Sequence, residues 1–195
     1  MKKFTNYKQA DFIDCGPTCL KIIAKHYGKT INIQELRDIS ETTREGSNLL
    51  FLSDAAEKVG FRTLGVKLNL ESLEEAPLPC ILHWNKDHYV VLYKIKKGKF
   101  YISDPAFGLL EYNKEEFVKF WIGNNADDTT KEGIALLIEA TPTFLETDFD
   151  YSYTIQKETD KYPGGPKYYI NQYTNYKAQR QIEQRTRQSQ KSGYG

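Results

Sequence analysis

The spacing of the apolar residues changes near residue 60, and this change limits the fold more than any other feature of the sequence. Before it, "CLKIIAKHYG", "NIQELRDI" and "GSNLLFLSDAAEKVG" carry apolar residues three and four positions apart, the spacing of helices that bury one face. After it come six short runs rich in β-branched and aromatic residues, separated by Gly, Pro, Asn and Asp. Helices followed by an antiparallel sheet predict an α+β fold.

Capping residues and glycines give bounds to the predicted elements. We predict that Asp14 caps the first helix, that Gly28 ends it, that Asn32 caps the second helix, and that the third runs from a Ser47 cap to Gly60. The predicted strands cover residues 61–68, 79–84, 88–95, 99–104, 108–112 and 133–140, with a helix over 113–123.

The composition changes again after residue 150. Residues 1–150 hold 19 Lys and Arg against 23 Asp and Glu, whereas residues 151–195 hold 8 against 3. The second segment has no Leu, Val, Phe or Trp, so it lacks the side chains that build a core. We expect one folded domain over residues 1–150 and a polar, basic, Tyr- and Gln-rich tail over 151–195, disordered or non-native, with no nucleic-acid partner.

Features of export are missing from the sequence. No apolar stretch is long enough to span a bilayer, and no apolar segment follows the basic start "MKKFTNYKQADF". The three cysteines are an odd number in a chain without a signal peptide. We therefore expect a cytoplasmic protein whose cysteines are free thiols.

Cys15 is the first candidate for chemistry, in the stretch "QADFIDCGPTCL". Asp14 before it and Pro17 after it place the thiol at a helix N-terminus, where backbone N–H groups and the helix dipole favour the thiolate. Gly16 keeps the backbone clear of anything that approaches the sulfur. A small buried side chain fits this stretch equally well, so the residues around Cys15 do not decide its role.

A metal site is another interpretation of Cys15. Cys19, one helical turn later, would put two thiols on one face. The other ligands would have to come from the third cysteine and the histidines, which form no second close pair: Cys80, His26, His83 and His88. We therefore predict no metal and no other cofactor, with Cys19 packed in the core and Cys80 buried in a strand.

His88 and Asp104 are the candidates for a base and for the carboxylate that orients it. If Lys96–Gly98 is a three-residue hairpin loop, Ile95 pairs with Lys99. Asp104 then becomes a diagonal neighbour of His88 on the same sheet face, with about 7 to 8 Å between the Cα atoms. A loop one residue longer or shorter would put the two side chains on opposite faces. The hairpin therefore supports this pair without proving it.

Gln9, six residues before Cys15, is a candidate oxyanion donor. With the backbone N–H of Cys15, its amide would stabilise a developing negative charge, at about 3 kcal/mol per donor. Alone, Gln9 also fits a surface glutamine. The order Gln, Cys at a helix start, His at a strand start and Asp one hairpin later is that of papain-like cysteine peptidases.

Three segments carry a closer resemblance. "QADFIDCGPTCLKIIAKHYG", "DHYVVLYKI" and "YISDPAFG" resemble the motifs of the bacteriocin-processing peptidase domain of peptidase-containing ABC transporters, and the resemblance covers about residues 5–140. It implies a papain-like fold in which Cys15 is the nucleophile, His88 the general base and acid, Asp104 the orienting residue and Gln9 the oxyanion donor.

The resemblance also implies a substrate and partners. Such domains cleave the leader of a ribosomally made precursor (a bacteriocin, lantibiotic or pheromone) after a Gly-Gly or Gly-Ala pair, coupled to export. The expected partners are this precursor and the membrane and ATPase domains of an ABC transporter, at the cytoplasmic face of the bacterial plasma membrane. Residues 151–195 are polar where such transporters continue with apolar helices, so we expect no transport by this chain.

Some questions stay open at this stage. The residues that bind the leader are not predicted, and Trp84 and Tyr89 fit either a cleft or a core. One alternative is a leader-binding module without chemistry that delivers peptide to a transporter. Another is a papain-like amidase or acyltransferase that uses the same residues on a different substrate.

Overall fold

Helices precede a sheet in the described part of the chain, residues 4–40, 48–85, 87–123 and 131–147 of a computed structural model, and the fold is α+β as predicted. The helices are α1 (Cys15–His26), α2 (Ile33–Ile39), α3 (Leu49–Lys58), α4 (Leu70–Glu75), α5 (Lys114–Trp121) and α6 (Pro142–Glu146). The strands are β1 (Phe61–Leu68), β2 (Cys80–Trp84), β3 (His88–Lys96), β4 (Lys99–Asp104), β5 (Gly108–Asn113) and β6 (Gly133–Ala140). The predicted tail lies outside the described residues, and the boundary near Asp150 stays a prediction.

The described strands form one antiparallel sheet in the order β1-β6-β2-β3-β4-β5. Neighbouring residues of β3 point to opposite faces, and both faces are covered. Val91 packs in the core with α1 and α3, whereas Val90 and Leu92 pack in a second core with Phe117 and Trp121 of α5. Each fully buried aliphatic side chain contributes about 1.5 to 3 kcal/mol, so these two layers hold α1 and α5 against the sheet.

The helix caps agree with the sequence only in part. The Asn32 side chain accepts the N–H of Gln34 at 2.8 Å, which confirms the predicted cap of α2. Ser47, the predicted cap of α3, lies outside the described residues; the cap of α3 is Asn48, which has the extended backbone of a cap and accepts the N–H of Phe51 at 2.9 Å. Both Ser and Asn are common N-cap residues, so the residue types alone do not show which of the two neighbouring positions is the cap.

The β3–β4 hairpin has a shorter loop than predicted. Lys97 and Gly98, at φ 53° and 70°, form a two-residue turn, and Lys96 pairs with Lys99. Both central residues of a tight hairpin turn with this twist need positive φ. The predicted three-residue loop over Lys96–Gly98 is therefore wrong.

A β-bulge cancels the effect of the shorter loop. The register shifts by one residue between Leu92 and Lys94, and beyond the bulge Val91 pairs with Ser103. Without the bulge, the shorter loop would turn Asp104 to the face opposite His88. With it, the predicted placement of the two side chains on one face is confirmed.

Two short helices were not predicted. The α4 segment "LESLEE" buries Leu70 and Leu73, and α6 "PTFLE" buries Phe144. Helices of one or two turns show too few apolar residues to establish a period. None of the helices in the described ranges combines the length and apolar character needed to cross a bilayer.

Candidate active site

Cys15 is the first residue of α1, and its thiol is 4% exposed. Asp14 occupies the N-cap position of α1, as predicted, but its side chain makes no capping hydrogen bond. Its carboxylate instead accepts hydrogen bonds from the Arg37 guanidinium, including one from Nε at 2.7 Å, and from the N–H of Asp11 at 3.0 Å. The hydrogen bond from Arg37 lowers the pKa of Asp14 although the residue is fully buried. The residue before Cys15 is thereby fixed to α2.

His88 and Asp104 meet at one end of the sheet, because β3 begins where β4 ends. His88 Nε2 lies 2.9 Å from Asp104 Oδ1, and the carboxylate is almost fully buried. The same oxygen accepts the N–H groups of Ala106 at 2.7 Å and Phe107 at 3.3 Å. The turn into β5 therefore aims the carboxylate at the imidazole.

The imidazole of His88 contacts both the carboxylate and the thiol. Burial disfavours a charged ring, but hydrogen bonds to Asp104 and Cys15, together with their negative charges, outweigh it and raise the pKa of His88 to about 9. The ring is thus cationic at neutral pH. It lies between a sulfur from α1 and a carboxylate from β4.

Gln9 is brought to the same place by the chain before α1. Its backbone N–H donates to the carbonyl of Pro105 at 2.9 Å, next to Asp104. Asn6 Nδ2 donates to the Asp104 carbonyl and to Ser103 Oγ, each at 3.0 Å. These bonds tie the segment that carries Gln9 to the end of β4. Among the described residues, Gln9 Oε1 is a buried side-chain atom without a hydrogen-bond partner.

A cleft of about 590 Å³ opens beside His88 and Asp104. Three aromatic rings form one wall: the Trp84 and Tyr112 centroids are 5.5 Å apart, Tyr112 and Phe120 5.6 Å, and Trp84 and Phe120 5.7 Å. The described residues that line the cleft are Gln9, Trp84, Asn85, Asp87, His88, Asp104, Ala106, Phe107, Leu110, Tyr112 and Phe120. A peptide can therefore reach the imidazole from solvent along an apolar surface.

The two other cysteines lie in the core, whereas His26 is exposed and His83 half-buried. Cys19 and Cys80 are fully buried, as predicted, and burial raises the pKa of each thiol, to about 12 for Cys80. Trp84 lines the cleft, whereas Tyr89 packs in the core under α1, where burial raises its pKa to about 12. The described residues contain no group of three or more His, Cys, Asp or Glu that could hold a metal ion.

Several residues of the site were not found from the sequence. Arg37 reaches Asp14 across 23 positions, and Tyr112 and Phe120 join Trp84 from two other elements. None of these residues belongs to a local pattern with a chemical meaning. The only signal was the aromatic content of "YNKEEFVKFW", which fits a core equally well.

A cysteine sulfur beside an imidazole that a carboxylate orients is the arrangement of cysteine peptidases, and a thiol-bearing helix packed on an antiparallel sheet is their papain-like form. Known proteins agree with this class. Residues 3–126 match the family described as "Peptidase C39 family". The chain belongs to that family and is a cysteine peptidase.

The relatives with known names are longer proteins. The lactococcin-G-processing and transport ATP-binding protein LagD of Lactococcus lactis subsp. lactis is 40% identical over 121 residues, which is 59% of this chain and 17% of that protein. The colicin V secretion/processing ATP-binding protein CvaB of Escherichia coli is 34% identical over 115 residues, 59% of this chain and 16% of that protein. The chain thus spans about a sixth of the length of these relatives.

Two solved structures are similar to this chain over nearly their whole length. A double glycine motif protease from an AMS/PCAT transporter, solved in complex with the leader peptide, has a TM-score of 0.64 and 31% identity, covering 71% of this chain and 93% of its own. The peptidase domain of Streptococcus ComA, a bifunctional ABC transporter of a quorum-sensing pathway, has a TM-score of 0.63 and 29% identity, covering 71% of this chain and 100% of its own.

Proposed function

We propose that the domain cleaves a precursor peptide after a Gly-Gly or Gly-Ala pair that ends its leader, with Cys15 as nucleophile, His88 as general base and acid, Asp104 as orienting carboxylate and Gln9 as oxyanion donor. The observation that carries the proposal is the position of His88, which contacts the Cys15 thiol on one side and lies 2.9 Å from Asp104 on the other.

The reaction follows from these contacts. The Cys15 thiolate attacks the carbonyl carbon of the second glycine, and the carbonyl electrons move to the oxygen, which the Gln9 amide and the Cys15 N–H stabilise. As the adduct collapses, the C–N bond breaks and the His88 imidazolium gives its proton to the leaving nitrogen. Water then attacks the thioester with His88 as base, which releases the leader acid and restores the thiolate and imidazolium.

The position of Gln9 supports its role. The carbonyl of Pro105 holds its backbone beside the catalytic carboxylate, and Oε1 is buried, so the amide nitrogen is the end of the side chain that can serve a substrate oxygen in the cleft. A donor that is fixed before the substrate binds costs no reorganisation when the oxyanion forms.

Relatives support the substrate and the partners. LagD is named for lactococcin-G processing and transport, CvaB is named for colicin V secretion and processing, and the double glycine motif protease was solved with the leader peptide. We infer that this domain acts on such a precursor at the cytoplasmic face of the bacterial plasma membrane, next to the membrane and ATPase domains of an ABC transporter.

Of the two alternatives, the binding module accounts for less of the site, and the amidase or acyltransferase differs only in its substrate. A binding module without chemistry has no need of a buried carboxylate that two backbone N–H groups aim at an imidazole. An amidase or acyltransferase would use the same residues, so only the substrate separates it from a peptidase.

The test is cleavage of a synthetic leader that ends in Gly-Gly and continues into a short peptide, followed by mass spectrometry. The parent should cut after the second glycine, and Cys15→Ala should bind the peptide without cutting it. Cys19→Ala is the matched control, because Cys19 lies on the same helix but is fully buried, and it should retain activity. Cleavage by Cys15→Ala, or binding without cleavage by the parent, would contradict the proposal.

A further inference from the structure

The cleft beside the catalytic residues has a defined position relative to the reacting carbon. It is bordered by Gln9, His88 and Asp104, while Cys15 is not among its lining residues. The cleft therefore meets the catalytic residues at Gln9, His88 and Asp104 rather than at the sulfur. The cleft lies on the face of the sheet that α5 covers, because Phe120 of α5 is one of its lining residues.

The tetrahedral adduct fixes which part of a substrate reaches this cleft. The reacting carbon bears four groups: the Cys15 sulfur, the oxygen that faces Gln9, the nitrogen that faces His88, and the Cα of the residue before the cut. That Cα must point away from the other three groups. A cleft bordered by Gln9 and His88 lies on the side of the oxygen and nitrogen, and the chain after the cut leaves from the nitrogen.

We propose, on the basis of the function above, that this cleft binds the first side chain after the scissile bond and prefers a large apolar one. The downstream residue, and not only the leader, would then determine how fast a precursor is cut. Because the cleft binds the part of the precursor that is released after cleavage, it selects which products are formed for export.

The chemistry of the wall supports an apolar occupant. The rings of Trp84, Tyr112 and Phe120 contact one another, and Phe117 packs behind Trp84 at 5.4 Å between centroids. Because these rings support each other, the wall is preformed and loses little entropy on binding. Leu110 extends the apolar surface along β5.

Phe107 forms an edge of the cleft, and its ring is exposed to water, which is unfavourable for a large apolar side chain. It is 79% exposed, although it is a large apolar side chain, and it lines the cleft. Its N–H donates to Asp104 Oδ1 at 3.3 Å, so the turn that carries the ring is held by the carboxylate that orients His88. A bound apolar side chain would cover part of this ring and remove it from water.

The experiment compares four precursors with one leader ending in Gly-Gly and with Phe, Leu, Ala or Asp as the next residue. We expect kcat/KM to be highest for Phe and Leu and about 10-fold or more lower for Asp. Tyr112→Ala should reduce the ratio of Phe to Ala substrates toward one. Tyr101→Ala is the matched control, since Tyr101 lies on the neighbouring strand and faces Tyr93 on the other side of the sheet.

A second variant, Phe107→Ala, removes a ring that is mostly in solvent and so tests the cleft without disturbing the core. It should also lower the ratio of Phe to Ala substrates. Equal kcat/KM for all four precursors, or equal effects of Tyr112→Ala and Tyr101→Ala on the ratio, would overturn this inference while cleavage itself upheld the proposed function. Failure to cut any precursor would overturn both.

Discussion

Replacing Arg37 by alanine should destabilise the domain strongly, because it leaves the Asp14 carboxylate buried without its cation. Asp14 is fully buried, and the Arg37 side chain, 28% exposed, reaches both of its oxygens. Removing one partner of a buried ion pair costs about 3 to 5 kcal/mol. At about 2 to 4 °C per kcal/mol for a chain of this length, Tm should fall by at least about 6 °C.

The loss should depend on pH in a defined direction. The hydrogen bond from Arg37 lowers the pKa of Asp14 in the folded state. A carboxyl whose pKa is lowered by folding stabilises the fold above its ordinary pKa of about 3.9, and this contribution is lost as pH falls through the folded pKa. In Arg37→Ala, the carboxyl can instead protonate in place. The difference in stability between parent and variant should therefore shrink as pH falls toward about 3.

Urea unfolding at about pH 7 and at the lowest pH where both proteins fold measures this difference. Arg62→Ala is the control, because the Arg62–Glu139 pair is exposed at 77% and 71% with 3.6 Å between charged atoms. Such exposed pairs add little to stability. The reasoning would be refuted if Arg37→Ala cost no more than Arg62→Ala at neutral pH, or if its cost were the same at both pH values.

Three further predictions concern the site and the core. Because the leaving nitrogen takes its proton from the His88 imidazolium, kcat/KM should fall as pH rises through about 9. The same raised pKa stabilises the fold fully below pH about 6.5 and ceases to do so as pH rises through about 9. Asp104→Asn should lower kcat about 100-fold or more. Because the carboxylate raises the pKa of His88, the variant should also lose activity at a lower pH than the parent as pH rises. An unchanged pH profile would contradict the role of the carboxylate. Gly133→Ala should lose about 1 to 3 kcal/mol in urea unfolding, since its Cβ would lie 2.3 Å from the Trp121 ring. The control, Gly65→Ala, meets its nearest atom at 3.7 Å and should lose less.

The parts of the fold that could be predicted are those encoded by neighbouring residues. The runs "KFYISD" and "GIALLIEA", rich in apolar residues and bounded by turn residues, predicted strands with the observed bounds, and Asn32 predicted a helix start. The face shared by His88 and Asp104 was predicted with the wrong loop. Two departures of one residue, a shorter turn and a bulge before Lys94, cancelled each other. A bulge is selected by packing on both faces of the sheet, so the strand sequence alone does not indicate it.

The parts of the site that could not be predicted depend on contacts between distant elements. Cys15, His88, Asp104 and Gln9 could be proposed because their order along the chain is that of papain-like cysteine peptidases, although each residue alone also fits a structural role. Arg37 has many uses, and its partner could be found only once α2 was placed beside the start of α1. The aromatic wall of the cleft could not be predicted either, because aromatic residues in a core and aromatic residues in a binding site look the same in a sequence.

The site is assembled from two separately supported parts. Phe4 stacks on Tyr93 with 4.1 Å between centroids, and the backbone of Gln9 is bound to Pro105, so Gln9, the proposed oxyanion donor, is tied to the sheet end that carries His88 and Asp104. Cys15 instead depends on α1, whose start is held by the pair of Asp14 and Arg37 on the helical side. Under the proposed mechanism, loss of the Arg37–Asp14 pair should therefore shift the start of α1, and with it the Cys15 sulfur, relative to His88 and Gln9. Because the proposed attack needs the Cys15 sulfur close to both His88 and Gln9, we expect Arg37→Ala to lower kcat as well as the free energy of unfolding.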